Sequence, residues 1–396
     1  MDATVAWNYV DLRFRAKADV QIWCELTSDE LVVTLRAPTG SPKSPHPLRV
    51  VPTDAGPRSC DTCGAATCFR HRAQSETRVA RAFLVDERWP EYEALVKETR
   101  ETGDLLLTPM DGSRWKRPAY AWSDPDRTAL WETLQSSRRM RAVSEQGAAR
   151  QTELLARAEG LAKRYGAWLP ASVGEVDVYQ AILPFLWRDG ALGGRPFRVL
   201  MTRLPMAEIH RRLDEAVERF PDRKLLGDFR APDWLVRLEQ EALAAAAQII
   251  TPHAEIASLF GRRAKLLPWA PAKPAEWKPG AAIGFPGPTV ARKGAFEVRE
   301  AARKLDLEVV LGGSELEGSE FWAGIRTRRG NVLDDVFAVV QPAFLEDRPR
   351  TLLSALAAGA PVVASRACGI SETNGLSLIE PGDPDGLTKA IQALRR

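Results

Sequence analysis

Four residues able to bind a metal ion fall within twelve positions: Cys60, Cys63, Cys68 and His71, in the spacing C-x2-C-x4-C-x2-H. They include three of the chain's five cysteines. A CxxC turn aims two thiolates at one ion, and the CxxH pair supplies the other two donors. The set predicts a closed tetrahedral site of three sulfurs and one nitrogen, suited to structural zinc. Gly64 supports the tight turn. The alternative is an iron–sulfur cluster with Cys24 as a distant fourth ligand. A full protein ligand set leaves no open coordination position, so the metal is expected to pin structure rather than to catalyse. Arg58, Arg70 and Arg72 make this knuckle basic, which leaves nucleic acid as a second, less favoured partner. Cys368 follows an apolar run and reads as packing.

The knuckle sits in a surface excursion. Prolines at 38, 42, 45, 47, 52 and 57 exclude helix and central strand ahead of it. Residues 38–75 therefore read as an insertion in an N-terminal domain. Around it, strands are expected at 4–13, 31–37, 79–85, 104–108, 196–203 and 248–252. Helices are expected at 89–103, across about 127–166, at 205–220 and at 234–247. This β-α-β alternation indicates a parallel sheet. The proline-rich stretch LLPWAPAKPAEWKPG at 266–280 marks the best boundary, giving domains of 1–265 and 266–396. Beyond it, apolar strands at 281–285, 307–313, 336–342, 361–365 and 376–380 alternate with helices at 294–305, 348–359 and 384–395. Near-continuous apolar strands between amphipathic helices predict a sheet buried on both faces.

Composition frames these readings. At 396 residues, 45% hydrophobic and 27% charged, the chain has the make-up of a globular protein of two or more domains. A net charge of +3 is too small to argue for nucleic acid or membrane by itself. The N-terminus lacks a basic segment followed by an apolar run, and no apolar stretch is long enough to span a bilayer. A cytoplasmic location is the expectation. The twelve tryptophans are scattered and read as packing.

Four runs in order, GFPGPTVARKG, LEVVLGG, DDVFAVVQPAFLEDRPRTLLSALAAGAPVVAS and GISETNGLSLIEPGDPDGL, resemble the C-terminal domain of the family-4-like, retaining GT-B glycosyltransferases over residues 281–390. The first 265 residues match only in general layout. The resemblance implies two Rossmann-like domains facing a cleft. It also implies a nucleotide-sugar donor such as a UDP- or GDP-sugar, an acceptor glycan or other hydroxyl compound, and no catalytic metal. Glu346 then matches the first acid of an E-x7-E motif and contacts the donor sugar. Lys293 matches the lysine that neutralises the diphosphate. Gly312 and Gly313 match small residues that let the nucleotide approach the backbone. The loop from Gly369 to Glu372 matches the pyrophosphate and base side.

The physics agrees: ligands of open parallel sheets bind beyond the carboxyl ends of the strands, where helix N-termini suit a diphosphate. Pro349 suits a helix start and Gly359 its end, which puts Glu346 in the loop before that helix. Two positions depart from the family pattern. The second motif acid is Ser354, which offers the ribose one neutral bond in place of a carboxylate's two. The arginine five residues before Lys293 is absent, so its charge falls to Arg292 or Arg350. In the N-terminal half, the stretch Asp11–Lys17 stands where a glycine-rich turn is usual, and Asp111 is the ionisable residue after strand 104–108. The alternative function is a non-catalytic GT-B-like protein that binds a glycan, nucleotide or nucleic acid.

The metal reading has a direct measurement. Elemental analysis of purified protein is expected to find about one zinc per chain, lost in Cys60→Ser/Cys63→Ser. Iron with acid-labile sulfide would establish the cluster alternative, and neither metal would remove the site.

Overall fold

A computed structural model of the chain describes residues 3–7, 21–26, 31–36, 80–143, 148–170, 173–228, 230–272 and 275–395. The Cys60–His71 set lies outside the described residues, as do the whole of the 38–75 insertion and Asp11–Lys17. Internal contacts divide the chain into two compact units, Met1–Leu200 with Arg237–Gln248, and Met201–Val236 with Ile249–Arg396. The second unit thus takes in residues upstream of the proline-rich stretch 266–280.

The first unit opens with β1 (Ala3–Trp7), β2 (Gln21–Leu26) and β3 (Leu31–Arg36). They form a separate antiparallel sheet in the order β1-β3-β2. This corrects the expectation that 4–13 begins a parallel sheet. The parallel sheet starts with β4 (Ala80–Leu84). After it come α1 (Pro90–Thr99), β5 (Leu105–Thr108), β6 (Arg127–Thr128), α2 (Leu130–Ala142), α3 (Ala148–Trp168), β7 (Val173–Tyr179), α4 (Leu183–Arg188) and β8 (Phe197–Leu200). Parallel pairings run β8-β7-β4-β5-β6. The turn that follows the first parallel strand is therefore Val85–Trp89. Tyr165 and Tyr179 donate their hydroxyls to the carbonyls of Val85 and Glu87, and the Trp122 indole donates to that of Asp86. The Asp86 carboxylate is bonded to Arg157.

Sequence pattern missed β7, and the structure shows why. Its run VGEVDVY carries two acids where a buried strand should be apolar. Asp177 is only 1% exposed, yet it sits opposite Arg198 in the β7–β8 register. Two bonds of 2.6 and 2.5 Å from the guanidinium satisfy the carboxylate. A buried charge is tolerable when paired this way.

Chain order continues with α5 (Met206–Arg219), α6 (Asp233–Ala245), β9 (Gln248–Thr251), α7 (Ala254–Phe260) and β10 (Ala264–Leu266), which pairs in parallel with β9. Then come β11 (Lys278–Phe285), α8 (Ala295–Leu305), β12 (Val309–Leu311), β13 (Thr327–Arg329), β14 (Asp334–Gln341), α9 (Arg350–Ala357), β15 (Val362–Ser365), β16 (Leu376–Ile379) and α10 (Pro384–Leu394). All six strands from β11 to β16 are parallel, in the order β13-β12-β11-β14-β15-β16. One face packs α8 and α10 through Val298, Ala301, Leu387 and Ile391 onto Ile283, Phe285 and Val340. The other packs α9 through Leu352 and Ala355 onto Val339 and Val362. The expected sheet buried on both faces is what forms. β13, with its run TRR, carries no apolar signal and was not expected.

α9 ends in a Schellman turn. The Gly359 amide bonds the Leu356 carbonyl at 3.0 Å, and the Ala360 amide bonds that of Ala355 at 2.9 Å. Among the described residues, no helix is long and apolar enough to cross a membrane.

Arg198→Met would strand the Asp177 carboxylate in the sheet. Chemical denaturation is expected to show a loss on the order of 3 kcal/mol. Asp177→Asn combined with Arg198→Met should recover part of it.

Candidate functional site

The six-stranded sheet reverses direction at one place. From β11 the chain steps outward to β12 and β13, then returns to lay β14 on the other side of β11. Loops at such a switch point diverge from adjacent strand ends and leave room for a ligand. The loop after β11 carries Lys293 and the loop after β14 carries Glu346.

The two loops are tied by their backbones. The Arg292 carbonyl accepts the amides of Phe344 and Leu345 at 2.9 and 3.3 Å. Gly294 has φ +83°, and a Cβ there would lie 2.4 Å from the Pro342 carbonyl oxygen. Only glycine combines that backbone with that approach. The side chains then meet. Lys293 Nζ donates to Glu346 Oε2 at 3.1 Å and to the Leu345 carbonyl at 2.8 Å. Gln341 at the end of β14 also donates to Oε2, and the Arg348 amide donates to Oε1 at 2.9 Å. Lys293 and Glu346 are both largely buried.

His253 lies beneath this pair. It caps α7, with Nδ1 accepting the Ile256 amide at 3.4 Å, and its Nε2 lies 3.1 Å from the Glu346 carbonyl oxygen. Burial pushes its pKa below the ordinary value of 6.5, against the opposing pull of the Glu346 carbonyl and of Asp347. The Asp347 carboxyl is crowded enough that desolvation raises its pKa, with Lys293 acting the other way and Glu346 adding to the rise. Burial lowers the Arg292 guanidinium, opposed by Asp228, Asp347, Glu317 and Glu346. Cys368 is fully buried under the same loops, and its thiol is pushed up to about 12 by burial and by Glu346. It is packing, as its position implied.

The other expected residues take distinct places. Arg350 opens α9 with its guanidinium over the Trp269 ring, 5.2 Å from the centroid. Ser354 follows one turn later, half-buried. Gly312 and Gly313 pack closely: a Cβ on Gly313 would lie 2.4 Å from the Gly287 carbonyl oxygen, and one on Gly312 2.7 Å from Val332. Their smallness already serves the approach of their own neighbours. Glu372 is 84% exposed, 4.0 Å from Arg366. It lines a groove of about 560 Å3 with Trp269, Leu353, Leu356 and Ile370. Grooves of that volume suit a small ligand. In the first unit, Asp111 accepts the amides of Ser113 and Arg114 and so closes a local turn.

Sequence reasoning missed Gln341, Asp347 and the part played by His253. Gln341 had one signal, a polar residue ending an apolar strand. Asp347 had none that separates it from an ordinary loop residue, whereas His253 follows the strand at 248–252, where the family that the sequence resembles usually has a small polar residue.

Comparison with known proteins adds a family. Residues 297–396, which lie within the second unit, match the family described as glycosyl transferases group 1. No curated protein matches the chain. Among solved structures it is similar to sucrose-phosphate synthase from Thermosynechococcus elongatus, with 15% identity over 80% of this chain and 90% of that one and a TM-score of 0.49. It is also similar to Anabaena HepE in complex with UDP and glucose, at 13% identity over 81% and 90% with a TM-score of 0.45. The lipopolysaccharide outer core galactosyltransferase WaaB is similar at 13% identity over 80% and 90% with a TM-score of 0.43.

His253 implies a pH effect on stability. The unfolded chain takes up this proton near pH 6.5, while the folded ring resists it. Its contribution is full above pH 6.5 and is lost progressively as the pH falls from there through the lower pKa of the folded ring. The stability gap between wild type and His253→Gln is expected to narrow from pH 7.5 to pH 5.5 in denaturant titrations; a constant gap would show that the ring titrates freely.

Proposed function

We propose that this glycosyltransferase moves a sugar from a nucleotide diphosphate donor, a UDP- or GDP-sugar, to an acceptor hydroxyl with retention of configuration. The observation that carries the reading is Lys293 beside Glu346 at the switch point of a parallel sheet. In the transfer, the bond from the sugar's anomeric carbon to the diphosphate oxygen breaks and a bond to the acceptor oxygen forms. The acceptor proton leaves with the nucleoside diphosphate. Negative charge builds on the departing diphosphate, and a preorganised cation there lowers the barrier most. Lys293 is that cation. An ammonium has three donors, and the Leu345 carbonyl and Glu346 account for two. Glu346, aimed by Gln341 and the Arg348 amide, accepts hydrogen bonds from the sugar hydroxyls. Retention is supported by the resemblance over 281–390, as is a GT-B arrangement that assigns the acceptor, a glycan or other hydroxyl compound, to the N-terminal half.

Arg350 and Arg292 are the candidates for further diphosphate contacts. Zinc in the Cys60, Cys63, Cys68 and His71 set is proposed as a structural pin outside this chemistry. Ser354 favours a second reading, binding of a nucleotide sugar without turnover, because it weakens the hold on the ribose.

Consumption of UDP- and GDP-sugars is expected to fall by about 100-fold or more in Glu346→Gln and in Lys293→Ala. Unchanged turnover in both variants would sink the assignment. A donor that raises the melting temperature of wild type yet is never consumed would establish the second reading.

A further inference from the structure

His253 stands at the end of β9 and begins α7. Its ring is 2% exposed. Because Nδ1 accepts the Ile256 amide, the neutral ring carries its proton on Nε2. That proton points to the Glu346 carbonyl oxygen, 3.1 Å away. The ring is also wedged against the loop after β15. Gly369 has φ +63°, and a Cβ there would lie 2.2 Å from His253 Nδ1. The Gly369 carbonyl in turn accepts the Ala254 amide at 2.9 Å and the Trp269 indole at 3.1 Å. Three segments thus meet on one imidazole: the β9–α7 turn, the Glu346 loop and the Gly369 loop.

Glu346 is held at both ends. Lys293, Gln341 and the Arg348 amide hold its carboxylate, and His253 holds its peptide. Rotating that peptide would swing the carboxylate off Lys293. The charged groups facing the ring are Asp347 from the Glu346 loop and Glu255 from α7, and the Ala367 carbonyl faces it from the loop after β15.

We infer that His253 is a positioning residue for glycosyl transfer: its Nε2–H fixes the Glu346 peptide so that the carboxylate stays in register with Lys293 and the donor sugar. The role rests on the transferase reading above and requires no contact between His253 and substrate. It differs from a packing role, because each ring nitrogen has a separate task. Nδ1 caps α7, and Nε2 aims Glu346.

Two substitutions separate those tasks. The amide of glutamine reaches the place of Nε2, whereas the amide of asparagine reaches the place of Nδ1. On the full chain, His253→Asn keeps the cap and loses the bond to Glu346. Its kcat on the donor that wild type consumes is expected to fall roughly 10- to 100-fold with donor KM little changed. His253→Gln loses the cap and keeps the bond, and its kcat should stay within about threefold of wild type although the melting temperature falls. The inference is overturned if His253→Asn keeps wild-type kcat, or if kcat in the two variants follows melting temperature. Glu346→Gln with wild-type turnover would overturn the role given to Glu346, and the positioning role with it, whereas a wild-type protein that binds a donor and never consumes it would overturn the transferase reading. Nitrogen-15 NMR of the ring tests the geometry without turnover: a proton on Nε2 with Nδ1 accepting is expected, and a proton on Nδ1 would overturn the inference.

Discussion

The ion pair between Lys293 and Glu346 exists because β11 and β14 lie side by side and parallel. Fifty-three residues separate the partners in the chain. Adjacent strands bring their carboxyl ends together, and the loops that leave those ends are then stitched at Arg292 and Gly294. A side chain at Gly294 would push the Pro342 carbonyl away and open the gap that Lys293 spans. The rest of the candidate site is arranged around that contact. Gln341 ends the strand that carries the Glu346 loop, Cys368 fills the space below it, and His253 fastens it from the β9–α7 turn.

The same economy of buried polar groups runs through both units. Asp177 sits mid-strand opposite Arg198. Arg223 is held between the rings of Phe220 and Phe296 and bonds Glu297, which is fully buried on α8. That bond joins the segment after α5 to the helix that covers the six-stranded sheet. Among the described residues the other Glu297 oxygen has no hydrogen-bond partner, and burial raises the pKa of this carboxyl. Buried pairs of this kind contribute little net stability but make any other pairing costly.

A site built from one lysine, one glutamate and loop amides matches a reaction whose main demand is charge on a departing diphosphate. Under the proposed function, Ser354 and the absence of the usual arginine before Lys293 would thin out the nucleotide contacts. Arg350, stacked on Trp269, stands one helical turn from Ser354 and restores a cation near it. On that reading the donor subsite would lean on side-chain charge where the family that the sequence resembles uses a carboxylate on the ribose.

Much of the second unit was legible in the sequence. Runs such as AAIGF, VFAVV and PVVAS are apolar without interruption, which suits only strands covered on both faces, and the glycines and prolines between them punctuate the helices. Lys293 and Glu346 were legible through the resemblance over 281–390, to which the pattern added that Glu346 stands in the loop before the helix that Pro349 begins. β7 was not, since Glu175 and Asp177 break its apolar run, and the register with Arg198 that excuses Asp177 is a tertiary fact. The antiparallel β1-β3-β2 sheet was hidden too, because a strand's own residues do not reveal the direction of its partner. His253 shows the boundary most clearly. Its residue type allowed a surface group, a ligand or a core histidine; only the fold, by placing Ile256, Glu346 and Gly369 around one ring, decided which nitrogen bears the proton and what it holds. Sequence alone determines which segments must be buried, because burial depends on composition and period. Which polar groups then meet depends on distances that exist only once the strands have paired.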